Sequence, residues 1–215
     1  MSWLESSLSI LLPRPCPVCG GQDGPAGAGV CVACRAQMGQ ALRHGPRTPA
    51  VDASWFLAPY KGPLGTLLVR SKLGCDLPLI DAMGGWLAEG VAVLPRVDAV
   101  VPVQAHWLRV LRRGMDLPVR LARPVAQRMN APLLLVIRHS GAGSQLGRGR
   151  VGRIAVESDR FCVTRAVPPR ILLVDDVRTT GATADSCARA LRAAGASWVG
   201  LLTPVSRSLC RVKKS

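Results

Sequence analysis

A segment near the end of the chain, I-L-L-V-D-D-V-R-T-T-G-A-T at 171–183, constrains the fold more than any other part of the sequence. Its apolar run, 171–174, is typical of a central parallel strand that is buried on both faces. The run ends in Asp175 and Asp176, and α/β sheets bind ligands at the carboxyl ends of their strands. The residues that follow are small or carry hydroxyls, and they lead into a predicted helix: Thr179, Thr180, Gly181, Ala182 and Thr183.

Two kinds of group in this segment suit a phosphorylated sugar. The unpaired amides of a helix N-terminus form, together with hydroxyls, a cradle for a phosphate group. The carboxylates of Asp175 and Asp176 can accept hydrogen bonds from vicinal ribose hydroxyls. Each part also has a purely structural interpretation, because N-capped turns and acidic residues at strand ends are common without any ligand.

The rest of the chain alternates apolar runs with helical windows, which predicts an α/β domain with a largely parallel sheet. The predicted strands are 51–58, 97–103, 133–138, 160–164, 170–175 and 197–203. The predicted helices are 77–94, 116–130 and 181–194. Pro124 is expected to kink or shorten the second helix. A Gly/Pro-rich stretch at 39–50 separates this domain, 50–215, from an N-terminal segment, 1–45.

That N-terminal segment contains four of the eight cysteines as two C-x-x-C pairs, Cys16 and Cys19 followed by Cys31 and Cys34. Two such pairs supply the four thiolates of a closed structural zinc site, in which no position is left for a catalytic water. The spacing therefore predicts a small zinc ribbon. Two disulfides, a redox-active pair and an iron–sulfur cluster are the alternatives. A cytoplasmic location disfavours the disulfides, and the Gly/Pro-rich surroundings disfavour a thioredoxin-like motif.

The length of 215 residues fits one or two domains, and a hydrophobic content of 48% excludes wholesale disorder. No stretch is long and apolar enough for a spanning helix, and the N-terminus lacks the features of a signal peptide. We therefore expect the chain to reside in the cytoplasm.

Charge is the most unusual feature of the composition: 28 Lys and Arg residues against 13 Asp and Glu leave a net charge of +15. Of the 28 basic residues, 24 are Arg. Because Arg presents a planar fork of donors that matches phosphate oxygens, the excess favours a nucleic acid or a phosphorylated small molecule as partner. Coding bias is the alternative, since Ala, Gly, Pro and Val are plentiful and Lys is scarce.

As a whole, the string at 171–183 resembles the phosphoribosyl diphosphate signature of type I phosphoribosyltransferases, which is an apolar strand, two acids, a variable pair and T-T-G-A/G-T. The resemblance implies the type I phosphoribosyltransferase fold, a mostly parallel sheet flanked by helices. It also implies that Asp175 and Asp176 orient the ribose of phosphoribosyl diphosphate, that residues 179–183 hold its terminal phosphate, and that Mg²⁺ accompanies the ligand.

A four-cysteine module ahead of such a domain resembles the ComF family, which is associated with bacterial competence and the uptake of single-stranded DNA. Two further stretches carry the resemblance. Y-K-G-P-L-G-T-L-L-V-R-S-K-L-G at 60–74 places Lys72 at the family's basic position. V-P-V-Q-A-H-W-L-R-V-L-R-R-G at 101–114 places Arg113 before the family's glycine. The resemblance implies that Lys72 and Arg113 contact the diphosphate, although each is equally well explained as a solvated surface base.

The chain departs from the family pattern where an acceptor would bind. The family's R-G-F-N-Q is Arg113-Gly114-Met115-Asp116-Leu117 here, and Gln104 stands at the third position of P-V-P. Two functions follow from this mixture. The first is a competence-type protein that binds phosphoribosyl diphosphate and works with single-stranded DNA or uptake proteins. The second is an active transferase that moves a phosphoribosyl group to a small amine or nucleobase. No catalytic residue is assigned.

Overall fold

The structure is a computed structural model that describes residues 15–21, 30–39, 41–74, 76–105, 108, 110–111, 114–139 and 161–207. Its helices are α1 (Val32–Gln37), α2 (Pro63–Gly74), α3 (Leu77–Gly90), α4 (Leu117–Met129) and α5 (Ala182–Ala193), and a short 3-10 turn follows α3 (Val91–Val93). Its strands are β1 (Arg43–His44), β2 (Ala53–Pro59), β3 (Ala99–Pro102), β4 (Ile137–His139), β5 (Phe161–Val163), β6 (Arg170–Val174), β7 (Val177–Arg178) and β8 (Trp198–Ser206).

The main sheet has the strand order β1-β2-β8-β6-β3, and β7 pairs with β8 beyond the end of β6. Only β1 runs antiparallel to its neighbour in this sheet. The sequence prediction of a mixed α/β fold with a mostly parallel sheet is therefore confirmed. β4 and β5 form a separate antiparallel hairpin.

The central strand β8 continues beyond the predicted end at residue 203, through Pro204 to Ser206. A proline has no backbone N–H to donate, so it normally interrupts a central strand. Here Pro204 lies between two partners, because β6 pairs with β8 as far as Leu202 and β7 takes over at Val205. The proline therefore occupies the gap where the acidic end of β6 leaves the sheet.

Side chains alternate between the two faces of the sheet, and each face is covered. Leu172 and Val174 of β6 belong to a core shared with α2, α3 and α4, whereas Ile171 and Leu173 belong to a core shared with α5 and the β4–β5 hairpin. The predicted apolar face of α5 is confirmed, since its residues are at most 3% exposed: Ala184, Cys187, Ala188 and Leu191.

Pro124 lies inside α4 without ending it, so the expected shortening does not occur. A Cβ atom on Gly84 of α3 would come within 2.8 Å of the Pro124 ring. The two helices therefore pack closely at this point, and the packing holds the proline within the helix.

The four-cysteine segment packs against α2 and α3. Cys16, Cys34 and Met38 belong to the same buried cluster as Leu64 and Leu67 of α2. The guanidinium of Arg35 lies 4.7 Å from the centre of the Trp86 ring and 3.1 Å from a Glu89 carboxylate oxygen, both on α3. The segment is therefore anchored to the helical layer on one face of the sheet. The proposed boundaries at residues 45 and 50 stay a prediction.

Candidate functional site

A cavity of about 260 Å³ opens at the carboxyl edge of the parallel sheet, where β3 and β6 end side by side. Asp175 and Asp176 line it immediately after β6, and Lys72 reaches it from the last turn of α2. The Lys72 Nζ lies 2.7 Å from a carboxylate oxygen of Asp176. The fold thus brings together three residues that the sequence nominated as ligand contacts.

The backbone of the acidic pair fixes one carboxylate. The N–H of Asp176 donates to Asp175 Oδ1 over 2.8 Å, and the N–H of Asp175 donates to the Leu202 carbonyl of β8 over 3.1 Å. Burial, followed by the charge of Asp176, raises the pKa of Asp175 to about 8, although Lys72 and the Asp176 N–H act in the opposite direction. The carboxyl of Asp175 therefore lies in an environment that disfavours its own negative charge.

A third carboxyl strengthens this effect from a position next to the cavity lining, between Met115 and Leu117. Asp116 precedes α4, and its Oδ2 accepts a hydrogen bond from the N–H of Ala105 over 3.2 Å. Its Oδ1 is buried and has no hydrogen-bond partner among the described residues. Burial raises the pKa of Asp116, and the charge of Asp176 adds to the shift.

The loop at 179–183 forms the next wall and ends at the N-terminus of α5. Thr179 and Thr183 line the cavity, and Thr180 Oγ1 accepts a hydrogen bond from the Ala182 N–H over 3.3 Å. Gly181, the N-cap residue of α5, has a φ of +88°, and a Cβ there would lie 2.8 Å from Thr48 Cγ2. Only glycine fits this position without strain. The exposed amides and hydroxyls of this loop suit an anion.

The remaining walls were not predicted as site residues. His139 and Phe161 of the β4–β5 hairpin line the cavity, and their rings lie 4.7 Å apart. The His139 Nε2 is 3.1 Å from the carbonyl oxygen of Gln104, which follows β3. The remaining lining residues are Val103, Gln104, Ala105, Met115, Leu117, Pro118 and Val177. A planar group could stack against this hairpin, next to the acidic wall. His139 belongs to no sequence motif, and only the folding of the β4–β5 hairpin places it at the cavity.

Arg113, which the sequence resemblance nominates as a diphosphate contact, lies outside the described residues. Its suggested contact stays a prediction.

The four cysteines of the N-terminal segment form a second site. The sulfur atoms of Cys16, Cys19, Cys31 and Cys34 all lie within 4.8 Å of one another, close enough to hold one metal ion. Cys31 is the N-cap residue of α1, and Cys34 lies in that helix, whereas Cys16 and Cys19 flank a turn. The two C-x-x-C pairs are thus presented by a turn and by the start of a helix.

Backbone N–H groups point at these sulfurs. Gly21 N donates to Cys19 Sγ over 3.4 Å, Cys34 N to Cys31 Sγ over 3.4 Å and Cys31 N to Cys16 Sγ over 3.5 Å. Burial opposes ionisation of Cys16, but backbone hydrogen bonds outweigh it and lower the pKa of this thiol to about 6. Amides directed at sulfur stabilise thiolate ligands.

No protein-family model and no curated protein matches the chain. Among solved structures, it is similar to orotate phosphoribosyltransferase from Aeropyrum pernix, with 26% identity, a TM-score of 0.40 and 64% of each chain covered. It is also similar to adenine phosphoribosyltransferase from Trypanosoma brucei, with 14% identity, a TM-score of 0.43 and coverage of 77% of this chain and 87% of that one. A third similar structure is adenine phosphoribosyltransferase from Rhodothermus marinus, with 20% identity and a TM-score of 0.37. The match covers 78% of this chain and 82% of that one.

The chain spans 64% of the length of the Aeropyrum pernix enzyme. All three similar structures are phosphoribosyltransferases. Because the TM-scores are below 0.5, the similarities assign no role to any residue of this chain. Among the helices that the structure describes, none has the length and hydropathy needed to span a bilayer.

Proposed function

We propose that the cavity at the carboxyl edge of the sheet binds phosphoribosyl diphosphate with Mg²⁺, and that the domain has the type I phosphoribosyltransferase fold. One observation carries the proposal: Asp175 and Asp176 share a single cavity with two hydroxyl side chains of the loop at 179–183, those of Thr179 and Thr183, whereas the other three residues of the loop do not line it. Carboxylates suit the ribose diol, and the loop at the start of α5 suits the terminal phosphate. A ligand that has both groups uses both walls.

In this proposal Lys72 meets the diphosphate. Its ammonium is paired with Asp176 at 2.7 Å and is only 21% exposed. When a ligand with a diphosphate enters, the ammonium can bind its oxygens while the ribose hydroxyls take over hydrogen bonding to the carboxylates. Arg113 is proposed as a second diphosphate contact on the sequence resemblance alone.

The cavity residues fit a ligand that brings a magnesium ion. Two carboxyls, Asp175 and Asp176, line the cavity and a third, Asp116, lies next to the lining, whereas Lys72 is the only lysine or arginine among the described residues that line it. Burial and the charge of Asp176 raise the pKa of Asp175, and the ammonium of Lys72 opposes only part of that shift. Mg²⁺ prefers hard oxygen ligands, and when bound it would neutralise charge on the diphosphate.

The reaction of such a site would be phosphoribosyl transfer. The bond between the anomeric carbon and the diphosphate oxygen breaks, and the diphosphate keeps the electron pair. A nitrogen lone pair of the acceptor forms the new bond, and the acceptor releases its N–H proton. The contribution of this chain is to hold the ribose at Asp175 and Asp176 and to fix the phosphate at 179–183, so that the reacting carbon is held in place.

Titration calorimetry tests the binding proposal. We expect phosphoribosyl diphosphate to bind the wild-type protein in the presence of Mg²⁺, and the Asp175→Asn/Asp176→Asn variant to lose about 100-fold or more in affinity, because amides replace both carboxyls and cannot become negatively charged when the ligand brings a cation. An Asp81→Asn/Asp98→Asn variant is the control, since it removes the same charge from exposed positions outside the cavity. Equal affinity in the acidic-pair variant would contradict the proposal. Release of diphosphate with nitrogen acceptors then distinguishes an enzyme from a binding protein.

We infer that the four cysteines bind zinc. The support is the tetrad of sulfurs within 4.8 Å and its N–H···S hydrogen bonds. Four thiolates close the coordination sphere, so the ion would be structural. Elemental analysis of the purified protein should give one zinc per chain. Iron with inorganic sulfide would instead indicate a cluster.

We also propose a role in DNA uptake, with single-stranded DNA or uptake proteins as partners and a cytoplasmic location. The resemblance to the ComF family and the net charge of +15 support it. Arg123, Arg128 and Arg138 are exposed, and none of them has an ion pair within the described part of the chain. Trp55, Phe56 and other aromatic side chains are buried, so the proposed contact is electrostatic rather than a stacking platform.

Binding of a fluorescent single-stranded oligonucleotide at several salt concentrations tests this role. We expect the affinity to fall steeply with salt, because each neutralised phosphate releases counterions. An Arg123→Gln/Arg128→Gln/Arg138→Gln variant should bind more weakly and show a smaller salt slope. An Arg120→Gln variant is the matched control, since Arg120 is already paired with Asp81 at 2.6 Å. No binding at low salt would contradict the DNA role.

A further inference from the structure

Arg178 does not line the cavity, and the sequence signature assigns no role to its side chain. It belongs to the short strand β7, between the acidic pair and the phosphate loop, at one of the two variable positions of the signature. The residue is 4% exposed. Its Nε and Nη1 are buried and have no hydrogen-bond partner within the described residues, and no carboxylate of that part of the chain forms an ion pair with it.

The guanidinium lies directly behind the loop at 179–183. A Cβ atom on Gly181 would come within 3.2 Å of Arg178 Nη2 and 3.4 Å of its Nε. Gly181 is the N-cap residue of α5, a helix of 12 residues. Val177 and Thr179 line the cavity but Arg178 does not, so its side chain passes to the other side of the backbone.

A buried guanidinium with two unpartnered nitrogens, Nε and Nη1, is costly to the folded protein. Moving a charge out of water is compensated only when an opposite charge or hydrogen bonds replace the solvent. Burial accordingly lowers the pKa of Arg178. Thr48 Oγ1, on the same side of Gly181, is buried and without a partner as well. The region behind the loop thus holds positive charge and unused polar atoms that the described protein does not neutralise.

We propose that Arg178 is a positioning residue for an anion site at the N-terminus of α5, where its positive charge strengthens the binding of a phosphate dianion in the loop at 179–183. The helix N-terminus and the guanidinium approach the loop at the same residue, because Gly181 is the N-cap of α5 and lies next to Arg178 Nη2. Since the guanidinium is buried, water screens its charge less than it screens the charge of a surface arginine. The identity of the phosphate as the terminal group of a phosphoribosyl ligand rests on the proposed function; the anion site itself does not.

The test compares variants of Arg178 by calorimetry with three probes: inorganic phosphate, ribose 5-phosphate, and phosphoribosyl diphosphate with Mg²⁺. For Arg178→Met, we expect the affinity for each probe to fall about tenfold or more, the range found for an interaction with a charged group. Its melting midpoint without ligand should stay unchanged or rise, because the variant removes an unpaired buried charge. Arg178→Lys should keep most of the affinity. Arg207→Met removes an equal charge from an exposed side chain and should bind like wild type.

A lower melting midpoint with unchanged affinity would show a structural role for Arg178 and overturn the inference. If Arg178→Met does not fold, the neutral Arg178→Gln is compared with the charged Arg178→Lys instead. Equal affinity of these two variants for the three probes would overturn the inference. If phosphoribosyl diphosphate binds wild type and Arg178→Met equally, the inference fails while the proposed function stands. If phosphate and ribose 5-phosphate bind as expected but phosphoribosyl diphosphate does not, the proposed function fails while the inference stands. Binding of none of the probes overturns both.

Discussion

The four-cysteine cluster and the acidic cavity are two clusters of ionisable groups with opposite designs. The cysteine sulfurs lie within 4.8 Å of one another, three of the four residues are buried, and backbone N–H groups point at the sulfurs. The cavity presents carboxyls on one wall, amides and hydroxyls on another, and a hairpin with two aromatic rings on a third. The first arrangement closes around one ion, whereas the second leaves about 260 Å³ between its walls.

In both clusters, ionisable groups of the same charge lie close together, but the resulting repulsion would be relieved in different ways. Four neighbouring thiolates are stable only with a resident metal, so their cost is met when the protein folds. The paired carboxyls Asp175 and Asp176 keep their cost in the folded protein, where a ligand that brings a cation can relieve it. In the proposed function, the cysteine cluster therefore contributes to stability and the cavity to binding.

Removal of the metal should give the largest change in the free energy of unfolding. A smaller change would contradict the assignment of the cysteine cluster to stability. We expect chelation, or a Cys34→Ser substitution, to destabilise the protein by several kcal/mol, since metal binding supplies folding free energy to a short segment. Cys34 also belongs to the core shared with α2. Thermal unfolding followed by circular dichroism measures the change, and Cys162→Ser is the control because Cys162 lies outside the cluster. An unchanged melting midpoint after complete chelation would show that the cluster is not a structural metal site.

The next effect is the pH dependence that Asp175 imposes on stability. Its pKa is about 8 in the folded protein against 3.8 as the ordinary value, so the folded state binds the extra proton between these two values. Stability is therefore lost as the pH rises from about 4 to about 8. Asp175→Asn should be more stable than wild type by a few kcal/mol at pH 8 and nearly equal to it at pH 4. Urea unfolding at both pH values gives this difference, and a variant less stable than wild type at pH 8 would contradict it.

A smaller effect concerns the backbone of the phosphate loop. Gly181→Ala forces a side chain into a positive φ and against Thr48, so we expect a loss of about 1–2 kcal/mol in stability and of about tenfold in phosphate affinity. Gly85→Ala in α3 is the matched control, because a Cβ there meets nothing within 4 Å. It should leave binding unchanged and stabilise the helix by about 0.5–1 kcal/mol. Equal phosphate affinity of the two variants would remove the loop from the site.

The smallest expected effect tests whether the cysteine segment and the cavity are energetically independent. Arg35→Ala removes the ion pair with Glu89 and the contact with the Trp86 ring, both partly exposed, and should cost about 1 kcal/mol. Because these contacts anchor the cysteine segment and do not line the cavity, affinity for phosphoribosyl diphosphate should not change. A loss of affinity in this variant would show that the two regions are coupled.

Local sequence patterns predicted much of the fold. The apolar run at 171–174, the acids that follow it and the apolar face of α5 lie next to one another in the chain, so each could be recognised alone. The helix α2 was missed, although Leu64, Leu67, Leu68 and Ser71 are buried at helical spacing. Gly62, Pro63 and Gly65 obscured that pattern, because Gly and Pro are typical of turns.

The rest of the site depends on contacts between distant parts of the chain. His139 and Phe161 come together only through the pairing of β4 with β5, and Asp116 meets Ala105 only because the chain between β3 and α4 folds back on itself. No local signal marks these residues. Arg178 is the clearest case, since its burial and its lack of a partner are visible only in the folded structure.

The most direct test of the proposed ligand site is a crystal structure of the protein with ribose 5-phosphate. We expect the phosphate on the amides and hydroxyls of residues 179–183 and the ribose hydroxyls on Asp175 and Asp176. A phosphate bound instead among exposed arginines, with the cavity at the end of β6 empty of sugar, would contradict it.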